Sequence, residues 1–298
     1  MTAENTAPSA NLGALPEWDL ADLYPGTDSP ELTADLERSE KAAKSFSGKY
    51  KGKLVFLDGK VLGAAIAEYE TIDETMGRVM SYAQLVYAGN VSDPEIGRFY
   101  QSMQERVNDI SAHLLFFSLE LNEIDDQAMA KQLKAAKAAK YRPWLEDIRS
   151  FRPHQLEEDM ERLLHDKRVA GRAAWNRLFD ETMADMRFDH DGKMLTSEEV
   201  MNMLSNPDEG VRKSAAETLG QELEKHARTF SLITNTLAKD KEIEDCWRSF
   251  ARPESSRNLA NQVEDEVVDA LNKAVSNSYA DLSHRYYAMK AGWFGKDR

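Results

Sequence analysis

The chain has one cysteine, Cys246, so no internal disulfide framework can hold it together. That usage fits a reducing, cytoplasmic setting. No apolar run approaches the ~20 residues that a helix needs to cross a bilayer, so neither a transmembrane helix nor a membrane partner is expected. The opening stretch from Met1 to Trp18 lacks a basic segment and an apolar segment, which excludes a secretory signal. Residues 1–16 are expected to be a disordered leader. Positive charge is in short supply, with 38 Lys and Arg against 52 Asp and Glu and a formal charge of −14. Nucleic acid demands a basic face for its phosphates, so no nucleic-acid partner is expected. There is no Gly-rich phosphate loop, no GxSxG turn and no CxxC pair.

What is present is helical periodicity in a chain of 298 residues, 42% of them hydrophobic, enough to bury a sizeable core. Asp28-Ser29-Pro30-Glu31 is a helix start, with a capping side chain followed by proline. A long helix is predicted from about Leu62 to Tyr87, through Ile66, Tyr69, Ile72, Met76, Val79 and Met80. Asp93-Pro94-Glu95 opens another. Behind it, Ile96, Phe99, Tyr100, Met103, Val107, Ile110, Leu114, Phe117 and Leu121 keep a three-and-four spacing that predicts one helix of seven turns. Asn206-Pro207-Asp208 opens a long helix towards Trp247. Between these elements, Met186 to Leu195 reads as a β-hairpin turning at Asp191-Gly192, because both residues tolerate positive φ. Thr196-Ser197-Glu198-Glu199 is a capping box for the next helix. The expected fold is mainly α with one small β-hairpin, and a domain boundary falls near the hairpin.

Candidate chemistry is sparse. The histidines are His113, His154, His165, His190, His226 and His284. A catalytic zinc needs about three converging protein ligands, and the helical solution places two histidines four apart. No histidine pair has that spacing. Glu222 and His226 are four apart on a predicted helix and read as a surface pair. His113 and His154 read as packed, hydrogen-bonded residues. Asp189-His190-Asp191 could be a small metal cluster, but turn chemistry accounts for it. Lys131, Lys134, Lys137 and Lys140, with Arg142, Arg149 and Arg152 beyond, could form an anion-binding strip, but on so acidic a chain they read as a solvated face. Glu264, Asp265, Glu266 and Asp269 crowd the start of their helix, where its dipole favours negative charge. Cys246 is expected to be a packed thiol. Composition and spacing alone therefore give no catalytic, cofactor-binding or metal-binding residue.

The stretch from Ser255 to Arg298 resembles the middle of a fold. Val263, Val267, Val268, Leu271 and Val275 mark one apolar helical face, and Tyr279, Leu282, Tyr286, Tyr287 and Met289 mark a second. Trp293 and Phe294 follow with nothing after them to cover them. The expectation is that the functional half lies beyond Arg298, against the plainer possibility of a C-terminal helix docked on the body.

Several segments, taken in order, resemble oligoendopeptidase F, a zinc peptidase of the M3 family. They are Glu17-Trp18-Asp19-Leu20-Ala21-Asp22-Leu23-Tyr24-Pro25, Ile110 to Phe117, Tyr141-Arg142-Pro143-Trp144-Leu145 and Phe151-Arg152-Pro153-His154-Gln155-Leu156. Gly171-Arg172-Ala173-Ala174-Trp175-Asn176-Arg177-Leu178-Phe179-Asp180-Glu181-Thr182 and the tail from Ser255 through Tyr287 complete the series. The resemblance implies a multi-helical N-terminal lobe of a zincin-type peptidase. Residues 17–190 would be the N-terminal helical domain, and residues 197–298 the first helices of a catalytic domain, truncated before the His-Glu-x-x-His motif. It implies zinc in the full-length enzyme and none in this chain. It also implies short unfolded peptides as substrate, with this chain as one wall of the substrate channel and a missing C-terminal catalytic half as partner. No catalytic residue carries over onto this numbering. The alternative is a non-catalytic α-helical interaction module derived from that family. A weaker third possibility is a metal-binding protein using Asp189, His190 and Asp191. A fragment should expose an apolar surface around Leu271, Tyr286, Tyr287, Trp293 and Phe294, and a self-sufficient module should cover it.

Overall fold

Local capping chemistry sets where the long helices begin. The computed structural model describes residues 18–297, so the expected leader lies outside the described residues. Helix α1 (Pro30–Tyr50) starts where the Ser29 side chain accepts the Leu32 amide and Pro30 fixes the first turn. Helix α2 (Gly59–Gly89) starts at Asp58, whose carboxylate accepts the Val61 amide. Helix α3 (Pro94–Ala112) starts at Asp93, which accepts the Glu95 and Ile96 amides. The three helices pack on one another around Leu36, Phe46, Leu62, Ile66 and Val79, all essentially buried. Each such side chain contributes about 1.5–3 kcal/mol by leaving water.

The seven-turn helix expected from Ile96 to Leu121 is divided. Helix α3 stops at Ala112, and α4 (Leu115–Glu123) begins after a break at His113 and Leu114. There the amides reach back only three residues, His113 to Ile110 at 3.1 Å and Leu114 to Ser111 at 2.9 Å. Leu114, Phe116, Phe117 and Leu121 are all buried. Consecutive apolar residues cannot share one stripe of a straight helix, so the chain turns to bury them on several sides.

Helices α5 (Asp126–Gln132), α6 (Ala136–Ala139) and α7 (Arg142–Ser150) close over α2 and α4. Gly59 and Gly63 are required at this crossing. A Cβ on Gly59 would collide with the Gln132 carbonyl, and one on Gly63 with the Lys137 carbonyl. Gln132 fastens the same corner by donating to the carbonyls of Leu54 (3.0 Å) and Leu57 (2.8 Å). Lys131, Lys134, Lys137 and Lys140 are exposed, a solvated face as expected. Arg149 leaves that series. It is mostly buried and donates to the Ile124 carbonyl at 2.7 Å and to Asp126 at 2.6 Å. Helices α8 (Glu158–Lys167) and α9 (Arg172–Asp185) follow.

A second, smaller core forms around the hairpin of β1 (Phe188–His190) and β2 (Lys193–Leu195), with Phe188 opposite Leu195. Asp191 and Gly192 turn it with φ of 55° and 80°. The capping box at Thr196 and Glu199 then starts α10 (Ser197–Met203). Asp208 caps α11 (Glu209–Trp247), a helix of 39 residues. Val200 of α10 and Ala215 of α11 seal Met186, Phe188 and Leu195. Cys246 is exposed on α11, contrary to the packed thiol expected from sequence. Its neighbours Glu244 and Asp245 line a cleft, and the thiol falls on another side of the helix.

Helices α12 (Ser255–Ala260), α13 (Asp265–Ser278) and α14 (Arg285–Trp293) end the described chain, with a π-helical turn at Ala280–His284 between the last two. The acidic residues at the start of α13 do more than face a dipole. Asp265 accepts from Ser255 and Asn258, both at 2.8 Å, and Asp269 takes both amino groups of Arg252 at 2.9 and 3.0 Å. Among the described residues, no helix is long and apolar enough to cross a membrane. The architecture is mainly α with one two-stranded antiparallel sheet.

Candidate functional site

Helices α4, α7, α8 and α9 approach the second half of α11 without closing on it. The space between is a cleft of about 750 Å³, within the range that small ligands occupy. Its floor is apolar, built from Leu115, Leu119, Ile148, Phe151, Leu237 and Phe250. Helix α4 supplies the first two of these.

One end of the cleft is closed by Arg248, the residue that terminates α11. Its guanidinium makes a two-pronged contact with Glu161 of α8 at 2.6 and 2.9 Å and donates to Glu244 at 2.7 Å and to the His154 carbonyl at 3.1 Å. His154 returns the contact, donating from Nδ1 to the Arg248 carbonyl at 2.7 Å. That bond places the ring proton on Nδ1 in neutral His154. Its ring stacks on Phe250 with centroids 3.8 Å apart. Burial pushes the Glu161 carboxyl up, but its bond to Arg248, the Leu156 amide and the guanidinium charge together hold it below the ordinary glutamate value. The same contacts raise Arg248. His154 is thus packed and hydrogen-bonded, as its sequence context suggested, and it lines the cleft.

Asn122 sits on the floor, 5% exposed. Its Nδ2 donates to Gln155 at 2.9 Å, and its Oδ1 accepts no hydrogen bond. Sequence reading missed Asn122, Gln155, Glu161, Arg172 and Arg248 as members of one site. No local signal marks them, since the Glu161–Arg248 contact spans 87 residues.

The other sequence candidates are dispersed. His165 Nε2 lies 3.0 Å from the Asn108 carbonyl and 3.1 Å from Ser111 Oγ. His190 Nδ1 meets Thr218 Oγ1 at 3.1 Å, while Asp189 accepts the Gly192 amide at 2.9 Å within the turn. Glu222 and His226 are 3.6 Å apart on α11, and Glu222 is shared with Lys225. His284 lies near the Tyr279 ring on the π-helical turn. Among the described residues, no three His, Cys, Asp or Glu side chains gather closely enough to hold a metal ion. The cleft has the chemistry of a binding surface: an apolar floor, paired charges at one end and unpaired polar groups along the rim.

Residues 120–188, from the end of α4 to the first residue of β1, match the family model described as Oligopeptidase F. That segment carries Asn122, His154, Gln155, Glu161 and Arg172. The fold is similar to the crystal structure of oligoendopeptidase-F from Enterococcus faecium, at 21% identity and a TM-score of 0.79, over 90% of this chain and 54% of that one. It is also similar to that of a candidate peptidase from Chlamydophila abortus, at 17% identity and a TM-score of 0.59, over 94% of this chain and 48% of that one. At these identities the likeness is one of fold. The chain spans about half the length of both solved structures. No curated protein matches it at a significant level.

Proposed function

We propose that this chain, which carries an oligoendopeptidase F-like N-terminal region, is the N-terminal portion of an M3-type zinc oligoendopeptidase that hydrolyses short peptides in the cytoplasm. In this reading residues 17–190 are the N-terminal helical domain, and residues from 197 are the first helices of the catalytic domain. The chain supplies a wall of the substrate channel, and a further unit supplies the chemistry.

The observation that carries the reading is the face of α13 and α14. Leu271, Tyr287, Trp293 and Phe294 are 62%, 65%, 69% and 65% exposed. Large contiguous apolar surface on a lone protein marks a place where something packs. A self-contained interaction module would keep these residues covered. The described residues do not fit a catalytic zinc, since no ligand cluster forms among them, and no step of peptide hydrolysis is assigned to them.

The purified 298-residue chain should bind no stoichiometric zinc and cleave no quenched-fluorescent peptide. The sequence encoded after the Arg298 codon, or a separately encoded partner, should carry His-Glu-x-x-His and restore chelator-sensitive cleavage. One tightly bound zinc with turnover by this chain alone would overturn the proposal.

A further inference from the structure

Helices α13 and α14, with the π-helical turn between them, form one arm. The backbone stays right-handed helical through Tyr279 and Arg285, so Asp265 to Trp293 make a rod roughly 40 Å long. None of its residues is buried. Val275, Tyr279, Leu282, Tyr286, Met289 and Trp293 follow one another at alternating steps of four and three, the spacing with which one helix packs along another. They are 45–69% exposed. Val267 and Leu271 continue the line at steps of four, which drift around a straight α-helix. At the π turn the His284 amide reaches back five residues to the Tyr279 carbonyl, at 2.8 Å. That wider turn takes up the extra residue and brings the two halves of the stripe into line.

With its flanking rings, Tyr287 and Phe294, the stripe offers roughly 800 Å² of apolar surface, about what each partner of a stable pair buries. Charge is graded along the rod. Glu264 and Glu266 are exposed at its start, and Arg285 and Lys290 are exposed towards its end, roughly 30–35 Å away. Two such rods side by side in parallel would set acid against acid and base against base. Laid antiparallel, each acidic end meets a basic end, and the helix dipoles are matched in the same way. The complement of this face is a helix with the same apolar spacing and the reverse order of charge, which is the same arm turned end for end.

We infer that two copies of this chain pair through these arms, antiparallel about a two-fold axis near Ala280. Such a contact is self-complementary and closes at two copies. The inference goes beyond the peptidase reading and takes only one thing from it. The further unit that packs on α13 and α14 must displace the second copy, so the pair holds this face out of water until that unit arrives.

Sedimentation of the 298-residue chain should show a monomer–dimer equilibrium, half-associated at or below about 10 µM, and no larger species. Leu282→Glu, at the centre of the exposed stripe, should weaken pairing at least about a hundredfold, because the two-fold axis makes the change act twice. Its circular dichroism should be unchanged. Cys246→Ser removes the exposed native thiol, and in that background a nitroxide on Ala270→Cys should lie about 30 Å from its counterpart. Parallel arms would bring the two labels within about 15 Å. The inference is overturned by a chain still monomeric at about 100 µM, an open series of oligomers, a dimer indifferent to Leu282→Glu, or the short label distance. A monomeric chain that regains cleavage with the further unit refutes this inference alone. A dimer that regains none refutes the peptidase reading alone.

Discussion

Replacing Arg248 with glutamine should loosen the joint between α11 and the N-terminal helices. The Arg248 side chain is 19% exposed and that of Glu161 is 11% exposed, so the pair is neither a surface contact nor fully dry. Breaking a buried pair costs about 3–5 kcal/mol, while exposed pairs contribute about 0–1 kcal/mol. The intermediate position, with the His154 carbonyl also losing its donor, gives about 2–3 kcal/mol. At about 2–4 °C per kcal/mol, that lowers the melting temperature by about 4–12 °C. The pH dependence carries a sign. Arg248 and the Leu156 amide hold the Glu161 carboxyl below its ordinary value of 4.5. A depressed carboxylate contributes stability that is present above the unfolded pKa and lost as pH falls through the folded one. In the variant only the Leu156 amide still opposes burial, so the gap between variant and wild type should narrow as the solution is acidified below about pH 4.5. Thermal melts across pH, with a double-mutant cycle using Glu161→Gln, measure both effects. A shift under ~1 °C at neutral pH with a coupling under ~0.5 kcal/mol would refute the assigned role.

Three further outcomes are expected. Gly63→Ala should destabilise by about 2–4 kcal/mol, because the methyl meets the backbone at Lys137, whereas Gly77→Ala, with nothing within 4 Å, should stabilise by up to about 1 kcal/mol; paired thermal melts compare them. Tyr87→Phe removes a buried hydroxyl that has no hydrogen-bond partner, so its denaturation midpoint should match or exceed that of wild type, by at most about 1 kcal/mol. Cys246 should titrate as one accessible thiol per native chain with a chromogenic disulfide reagent, because its side chain is exposed.

What the sequence revealed was chiefly what neighbouring residues decide among themselves. Ser29, Asp93 and Asp208 cap helices where their spacing said they would. Asp191-Gly192 turns the hairpin, and Thr196 with Glu199 closes the capping box. The break at His113 was hidden because the apolar spacing continues across it. Only the bulk of the core decides that Leu114, Phe116 and Phe117 must point different ways. The cleft was hidden for a related reason. His154 and Arg248 lie 94 residues apart, and nothing beside either one announces the other. The apolar helical faces that carry Leu271, Tyr286 and Tyr287 were legible from their spacing, and these side chains are exposed, as are Trp293 and Phe294.

The recess at Gly59 and Gly63 bears on which changes in length the chain can absorb. Connections between helices ordinarily tolerate insertions and deletions. The segment from Gln132 to Ala138 joins α5 to α6, yet its carbonyls at Gln132 and Lys137 seat against the two glycines one helical turn apart. Adding or removing a residue there would carry a different carbonyl over the recess and shift Ala138 out of the core. Among relatives, length changes should therefore be scarce between Gln132 and Ala138, and should collect instead at the open corner of Lys51-Gly52-Lys53, where a Cβ on Gly52 meets nothing within 4 Å.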